Sequence, residues 1–163
     1  MQIDVVELTD APEVMRIITL CLEHMRSTGI QQWDEVYPNL QVVEEDARAR
    51  TLFVIRYDER CVAAICLNEV QPEQYADLPW KITDGRALVI HRLCADPSWQ
   101  QRGAARELMD FAETHAQQQS YSSIRLDAHT GNPRALALYK RRDYVRVGSA
   151  HFPRRPLPNA CFE

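Results

Sequence analysis

The sequence predicts an α+β fold with a mixed central sheet, and three observations point there. Thr51–Tyr57 and Cys61–Glu69 read as two strands joined by Asp58-Glu59-Arg60, an antiparallel hairpin. Ala87–Ala95 is a nearly continuous apolar run broken by His91 and Arg92, as expected of a strand buried on both faces. Beyond it, helical and extended patterns alternate, so hairpins fill the first half and strand–helix units the second.

The remaining elements follow in order. Ile3–Leu8 reads as a short strand, and Thr9 or Asp10 can cap the helix after it. That helix places Val14, Ile17, Ile18, Cys21, Leu22 and Met25 on one apolar face, and Gly29 stops it. Ile30–Leu40 is aromatic, polar and broken by Pro38, a loop before a short helix over Val42–Arg50. Val70–Gly85 is a long connection containing Pro72 and Pro79, either functional or a plain insertion. A second amphipathic helix carries Ala105, Leu108, Met109, Ala112 and Ala116, and Ser123–Ala128 is a strand. Asn132-Pro133 opens a third helix with Asn as N-cap and Pro at its first position. Tyr144–Gly148 is a strand, and the proline-rich His151–Glu163 has room for one more.

Bulk properties narrow the classes. The chain has 163 residues, which fits one domain over residues 1–163 and suffices for a core without disulfides or metals. With a net charge of −4 and no basic tract, nucleic acid is not an expected partner. Cys21, Cys61, Cys66, Cys94 and Cys161 show no C-x-x-C spacing, which predicts reduced thiols and no metal site. The first residues lack the basic start and apolar core of a signal peptide, and no apolar stretch is long enough to span a membrane. A cytoplasmic protein without a membrane partner is expected.

The chemistry concentrates after the buried strand, in Leu93-Cys-Ala-Asp-Pro-Ser-Trp-Gln-Gln-Arg-Gly-Ala-Ala-Arg-Glu-Leu108. A strand ends, a short loop follows, and a helix opens at Gly103. A helix N-terminus offers unpaired N–H groups and partial positive charge to a phosphate. Gly103, Ala104 and Ala105 have little side chain to keep a phosphate from the backbone. Farther on, Asn132-Pro-Arg-Ala-Leu-Ala-Leu-Tyr139 puts Asn132 and Tyr139 two helical turns apart on one face.

The spacing Gln100-x-x-Gly103-x-Ala105 resembles the Q/R-x-x-G-x-G/A motif of the GNAT superfamily of N-acetyltransferases. Asn132 to Tyr144 resembles its N-x-x-A-x-x-L-Y-x-x-x-G-F/Y segment, with Asp143 replacing the usual Gly, and the two motifs stand in the right order around an intervening strand. Ile90-His-Arg-Leu-Cys-Ala95, Asp127-Ala-His129 and Phe162-Glu163 are similar to elements of small bacterial-type members. The likeness covers roughly Ala87–Gly148. It implies a mostly antiparallel sheet of six to seven strands flanked by helices, the acyl-CoA N-acyltransferase fold.

The resemblance further implies direct transfer of the acetyl group of acetyl-CoA, the co-substrate, to an amine of a small molecule or peptide. It implies a bulged central strand whose Leu93 and Ala95 backbone receives the pantetheine arm. The N–H of Leu93 or Cys94 would polarise the thioester carbonyl. The pyrophosphate is expected on Gln100, Gln101, Arg102, Gly103, Ala104, Ala105 and Arg106, with Asn132 also at the cofactor. Arg102 and Arg106 stand out by position from Arg134 and Lys140. Homodimers are common in the family, so one is an open expectation here.

Tyr139 matches the general acid that protonates departing CoA, against the simpler alternative of an aromatic packed on the sheet. For the base that takes the amine proton the candidates are His91, Glu69, Asp127 and His129, with His91 favoured because it interrupts an apolar strand. A structural histidine bonded across the sheet to Asp127 or His129 is the competing reading. Cys94 reads as packing. Trp33, Tyr37 and Trp80 line an acceptor pocket or serve as apolar lids. A CoA-binding module without catalysis remains the alternative function. A flavin or nicotinamide enzyme is disfavoured by the missing G-x-G-x-x-G spacing.

Overall fold

A computed structural model describes Gln2–Glu163; Met1 lies outside the described residues. The seven strands are β1 (Gln2–Val5), β2 (Leu52–Tyr57), β3 (Arg60–Asn68), β4 (Ala87–Ala95), β5 (Ser123–His129), β6 (Arg146–Ala150) and β7 (Asn159–Phe162). They form one sheet in the order β1-β2-β3-β4-β5-β7-β6. Every neighbouring pair is antiparallel except β4–β5, the one parallel pair among them. The helices are α1 (Ala11–Ser27), α2 (Leu40–Arg48), α3 (Ala104–Gln118) and α4 (Pro133–Lys140).

Strand alternation divides the core between the two faces. On β2, Leu52 and Val54 face α1 and α2, packing with Val14, Ile17 and Val43. Phe53 and Ile55 face the opposite way, toward Leu108, Met109 and Ala112 of α3. Both faces are covered, so β2 and β3 read as apolar runs rather than alternating ones. α1 ends where expected: Thr28 caps it and Gly29 turns left-handed at φ 75.

Local chemistry shifts several boundaries. α2 begins at Leu40, two residues before the expected Val42, because Asn39 Oδ1 accepts the Val42 N–H at 3.1 Å. The hairpin turn is the pair Asp58-Glu59, both left-handed at φ 46 and 66, which suits a two-residue connection between twisted strands. β6 begins at Arg146 rather than Tyr144, because Tyr144 belongs to the end of α4. Its N–H bonds Tyr139 O at 3.2 Å, and Asp143 N–H bonds Lys140 O at 3.2 Å. This is a Schellman motif with Asp143 in the left-handed C′ position at φ 62.

The long connection 70–86 covers the α1-side face over β4, β5 and β7. Tyr75 is buried there with Val89, Ala150 and Cys161, and Trp80 packs alongside. Arg125 lies 4.5 Å beneath the Trp80 ring and donates to Gln71 and Ile82 O at 2.7 and 2.8 Å. Glu163 accepts the Lys81 N–H at 2.7 Å. The connection is therefore part of the packed structure.

Candidate active site

Two interruptions of the sheet create the site. β4 and β5 pair only from Ala87↔Ser123 to Val89↔Arg125, after which β5 pairs with β7 instead. The second half of β4 thus has no neighbour on that side, and the strands splay. On its other side, β4 spends three residues (Cys94 to His91) where β3 spends two (Ala64 to Cys66), a bulge.

Arg92 is the bulged residue, left-handed at φ 51. Its guanidinium reaches back to α2 and the first-half loop, with Nε 2.8 Å from Asp46 Oδ2 and Nη1 2.8 Å from Tyr37 Oη. Side chains on separate elements thus hold a backbone conformation that L-residues disfavour.

Beyond the bulge, Asp96 N–H bonds Val62 O at 2.9 Å, so the backbone of Asp96 and Cys94 faces β3. Alternation turns the Leu93 and Ala95 backbone toward the gap left by β5. The Cys21 thiol donates to Ala95 O at 3.1 Å. The gap opens into a cavity of about 950 Å³ that also receives α1, the α3 N-terminus and α4.

The floor of one side is the turn after β4. Asp96 caps it by accepting the Ser98 N–H at 2.9 Å. Gln101 and Gly103 are left-handed at φ 66 and 89, and α3 starts at Ala104 with Gly103 as its N-cap, one residue later than expected. A Cβ on Gly103 would meet nothing within 4 Å, so this helix end opens on free space. Gln100, Gln101, Ala104, Ala105 and Arg106 line the cavity with it. Arg102 does not: its guanidinium stacks 4.8 Å over Trp99, whose ring packs on Tyr57. The cations that do line the cavity are Arg106, Arg134 and Arg141. Arg141 was not anticipated, although its seven-residue spacing from Arg134 places both on one helix face. Arg134 hydrogen-bonds Gln100.

Asn132 caps α4, accepting the Ala135 N–H at 3.2 Å, and donates to Gln32 of the first-half loop at 2.9 Å. Tyr139, seven residues on, is buried against Tyr144 and Phe162, with ring centroids 6.2 and 5.8 Å away. It lines the cavity, and its hydroxyl makes no hydrogen bond among the described residues. Burial pushes its pKa well up, and the charge of Asp127 acts in the same direction.

Asp127 lines the same cavity. Its side chain leaves β5 on the opposite face from Leu126 and Ala128, which pack with Tyr139 in the α3-side core. The carboxylate accepts Tyr75 Oη–H at 2.6 Å and Asn159 Nδ2–H at 2.5 Å. Burial raises its pKa, against the two hydrogen bonds.

The other base candidates fall outside this cavity. His91 Nε2 lies 3.0 Å from both Asn68 Oδ1 and Val70 O, so it carries the hydrogen and donates to these acceptors. Its expected partners, Asp127 and His129, are not the ones it finds. Burial lowers its pKa to about 4, with Arg92 adding to the shift. Glu69 is half exposed in a 3.0 Å ion pair with Arg86. His129 is buried, with Nδ1 accepting the Gly131 N–H at 3.1 Å. Cys94 packs toward α1; its pairing with the Cys21 thiol and its burial push its pKa well up, which opposes a nucleophilic thiolate. No cluster of three His, Cys, Asp or Glu side chains suited to a metal occurs among the described residues, and none of their helices is long and apolar enough to cross a membrane.

Known structures share this architecture. A GNAT-family acetyltransferase from Streptococcus agalactiae 2603 superposes with a TM-score of 0.77 at 18% identity, over 99% of this chain and 92% of that one. The ribosomal-protein-S18-alanine N-acetyltransferase of Escherichia coli gives 0.70 at 14%, over 99% and 89%. PaiA N-acetyltransferase from Thermoplasma acidophilum, in complex with coenzyme A, gives 0.72 at 12%, over 98% and 96%. No curated protein sequence matches significantly. These likenesses speak for the fold; membership rests on sequence, because the family model of the acetyltransferase (GNAT) family matches residues 14–144, from α1 through the bulged strand, the open helix end and Tyr139. The chain belongs to the GNAT family of acetyltransferases.

Proposed function

We propose that the protein transfers the acetyl group of acetyl-CoA to a primary amine by direct attack. The observation that carries this reading is a cavity running through the sheet at the β4–β5 splay, with three arginines and an open helix end on one side and a carboxylate on the other. Coenzyme A in the Thermoplasma acidophilum neighbour supports the same assignment.

The residues fit the two substrates separately. The first-turn N–H groups of α3 and the loop Gln100–Ala105 receive the pyrophosphate, with Gly103 keeping the approach clear. Arg106, Arg134 and Arg141 supply the positive field for the phosphates. Leu93 and Ala95 offer strand-like backbone hydrogen bonds to the pantetheine arm, and acetyl-CoA supplies the acetyl group as a thioester. Asn132 lines the cavity itself and also caps α4, which sets the position of Tyr139.

Tyr139 donates a proton to the departing thiolate. The hydroxyl is protonated at neutral pH and has no hydrogen-bond partner among the described residues to hold its proton. Burial makes it a weaker acid than a free tyrosine, so the role rests on its place in the cavity beside the departing sulfur. Asp127 receives the proton of the amine, directly or through water. A carboxylate whose pKa is raised by burial is a stronger base than an ordinary one. His91 lacks the position for this role, since its ring is committed to Asn68 and Val70.

The test follows thiol release from acetyl-CoA across a panel of amines, with mass spectrometry of the products. Tyr139→Phe is expected to lower kcat by about 10²-fold while acetyl-CoA affinity stays nearly constant. A protein that binds CoA but acetylates no amine, and is indifferent to Tyr139→Phe, would be a non-catalytic binding module.

A further inference from the structure

We infer that the acetyl acceptor is a primary amine on an apolar, uncharged body with no carboxylate beside the amine. This rests on the acetyltransferase reading above and specifies the substrate of the same cavity.

Charge is distributed asymmetrically around the cavity. Of its lining arginines, Arg106 is in the first turn of α3, Arg134 in the first turn of α4, where it hydrogen-bonds Gln100 of the phosphate-binding turn, and Arg141 directly follows α4. Asp127 is the lining carboxylate, and it projects from the other face of β5. On that face the wall is built by α1 and the loop after it: Cys21, Met25, Ile30 and Trp33 are apolar, Thr28 and Gln32 neutral. Cys21, Met25 and Trp33 are buried, so this wall is part of the packed core. His24 completes it, at the edge of α1.

Arg26, Arg92, Arg154 and Arg155 do not line the cavity, and each has a carboxylate beside it, Arg154 and Arg155 sharing one. Arg154 and Arg155 are held by Asp34 at 3.1 and 2.7 Å, and Arg26 pairs with Glu35. Arg92 is bound to Asp46 and Tyr37. An α-amino acid entering here would leave its carboxylate desolvated against apolar side chains with no guanidinium to receive it. That penalty is several-fold larger than an ordinary lost contact. A polycation is poorly matched as well, since one carboxylate satisfies one ammonium.

An alkyl or arylalkyl amine fits each feature. Its ammonium meets Asp127, which Tyr75 and Asn159 orient at 2.6 and 2.5 Å. Its body lies against Trp33, Met25 and Ile30, where an aromatic or aliphatic group is favourable. Proton transfer to Asp127 then leaves a neutral amine facing the β4–β5 splay.

The experiment compares matched acceptors on the full-length wild-type protein. Phenethylamine and phenylalanine share one body and differ by the carboxylate next to the amine. Hexylamine, spermidine and a short alanine-initiated peptide complete the set, and acetyl-CoA binding is measured separately by calorimetry. The expected result is a kcat/KM for phenethylamine at least 100-fold above that for phenylalanine, with hexylamine also above spermidine and the peptide. Phenylalanine, spermidine or the peptide as the preferred substrate would overturn the inference while leaving the acetyltransferase reading intact. Absence of acetyl-CoA binding, or of transfer to every amine, would instead overturn that reading, and this inference with it.

Discussion

Arg92 and Asp46 form a buried ion pair, Nη2 to Oδ2 2.5 Å, that ties the bulge of β4 to α2. Only about a tenth of either side chain is exposed. Removing one partner leaves the other charge buried and unpaired, which costs about 3–5 kcal/mol. Arg92→Ala and Asp46→Ala are each expected to lose stability on that scale in urea unfolding. The double variant should lose clearly less than the sum, because the second substitution removes an already stranded charge. Since the pair holds the bulge, Arg92→Ala should also weaken acetyl-CoA binding, whereas additive losses with unchanged binding would separate the pair from the site.

Asp143 stands where the family pattern has glycine, yet it keeps the left-handed backbone at φ 62. An aspartate tolerates this conformation better than most residues but still less well than glycine. Asp143→Gly is therefore expected to stabilise the fold by roughly 0.5–1 kcal/mol, offset in part by glycine's greater freedom in the unfolded chain. A rise in Tm of about 1–3 °C at unchanged activity is the outcome to look for. A fall in Tm would mean the aspartate side chain contributes more than its backbone strain removes.

His91 makes a prediction about pH. Its pKa is about 4 in the fold and about 6.5 in the unfolded chain. The unfolded state binds the extra proton first, so His91's contribution is fully present above pH 6.5 and is lost as pH falls from 6.5 to 4. The loss is up to about 3 kcal/mol. His91→Gln should flatten stability across that window, measured by unfolding at a series of pH values. The same variant should keep the acid limb of the activity profile, which this account assigns to Asp127. Loss of that limb in His91→Gln would return the base role to the histidine.

Much of the fold, and most of the residues expected at the cofactor that line the cavity, were legible in the chain because the signals are local. The motif from Gln100 to Ala105, which spans the turn and the start of α3, and the Asn132-Pro133 cap are read from neighbours in sequence, and Asn132 does cap α4. The strand Ala87–Ala95 emerges with the expected boundaries. What stayed hidden depends on contacts across the sheet. Whether Asp127 or His91 reaches the cavity is decided by where β5 leaves β4, and no periodicity encodes that departure. Arg102 looked as suitable as Arg106 by spacing, but Trp99 captures it. The covering role of residues 70–86 rests on Lys81 and Glu163, 82 positions apart.

The central claim is that the turn at Gly103 holds the pyrophosphate of acetyl-CoA, and calorimetric titration of acetyl-CoA into wild type and Gly103→Glu tests it most directly. Glutamate there places a negative charge in the open space above the α3 N-terminus. Because φ 89 strains any L-residue, Gly103→Asn serves as the control for backbone conformation. Measurable binding to wild type, a smaller loss in Gly103→Asn, and a loss of at least 100-fold in a folded Gly103→Glu are predicted. Wild-type affinity in Gly103→Glu would contradict the account.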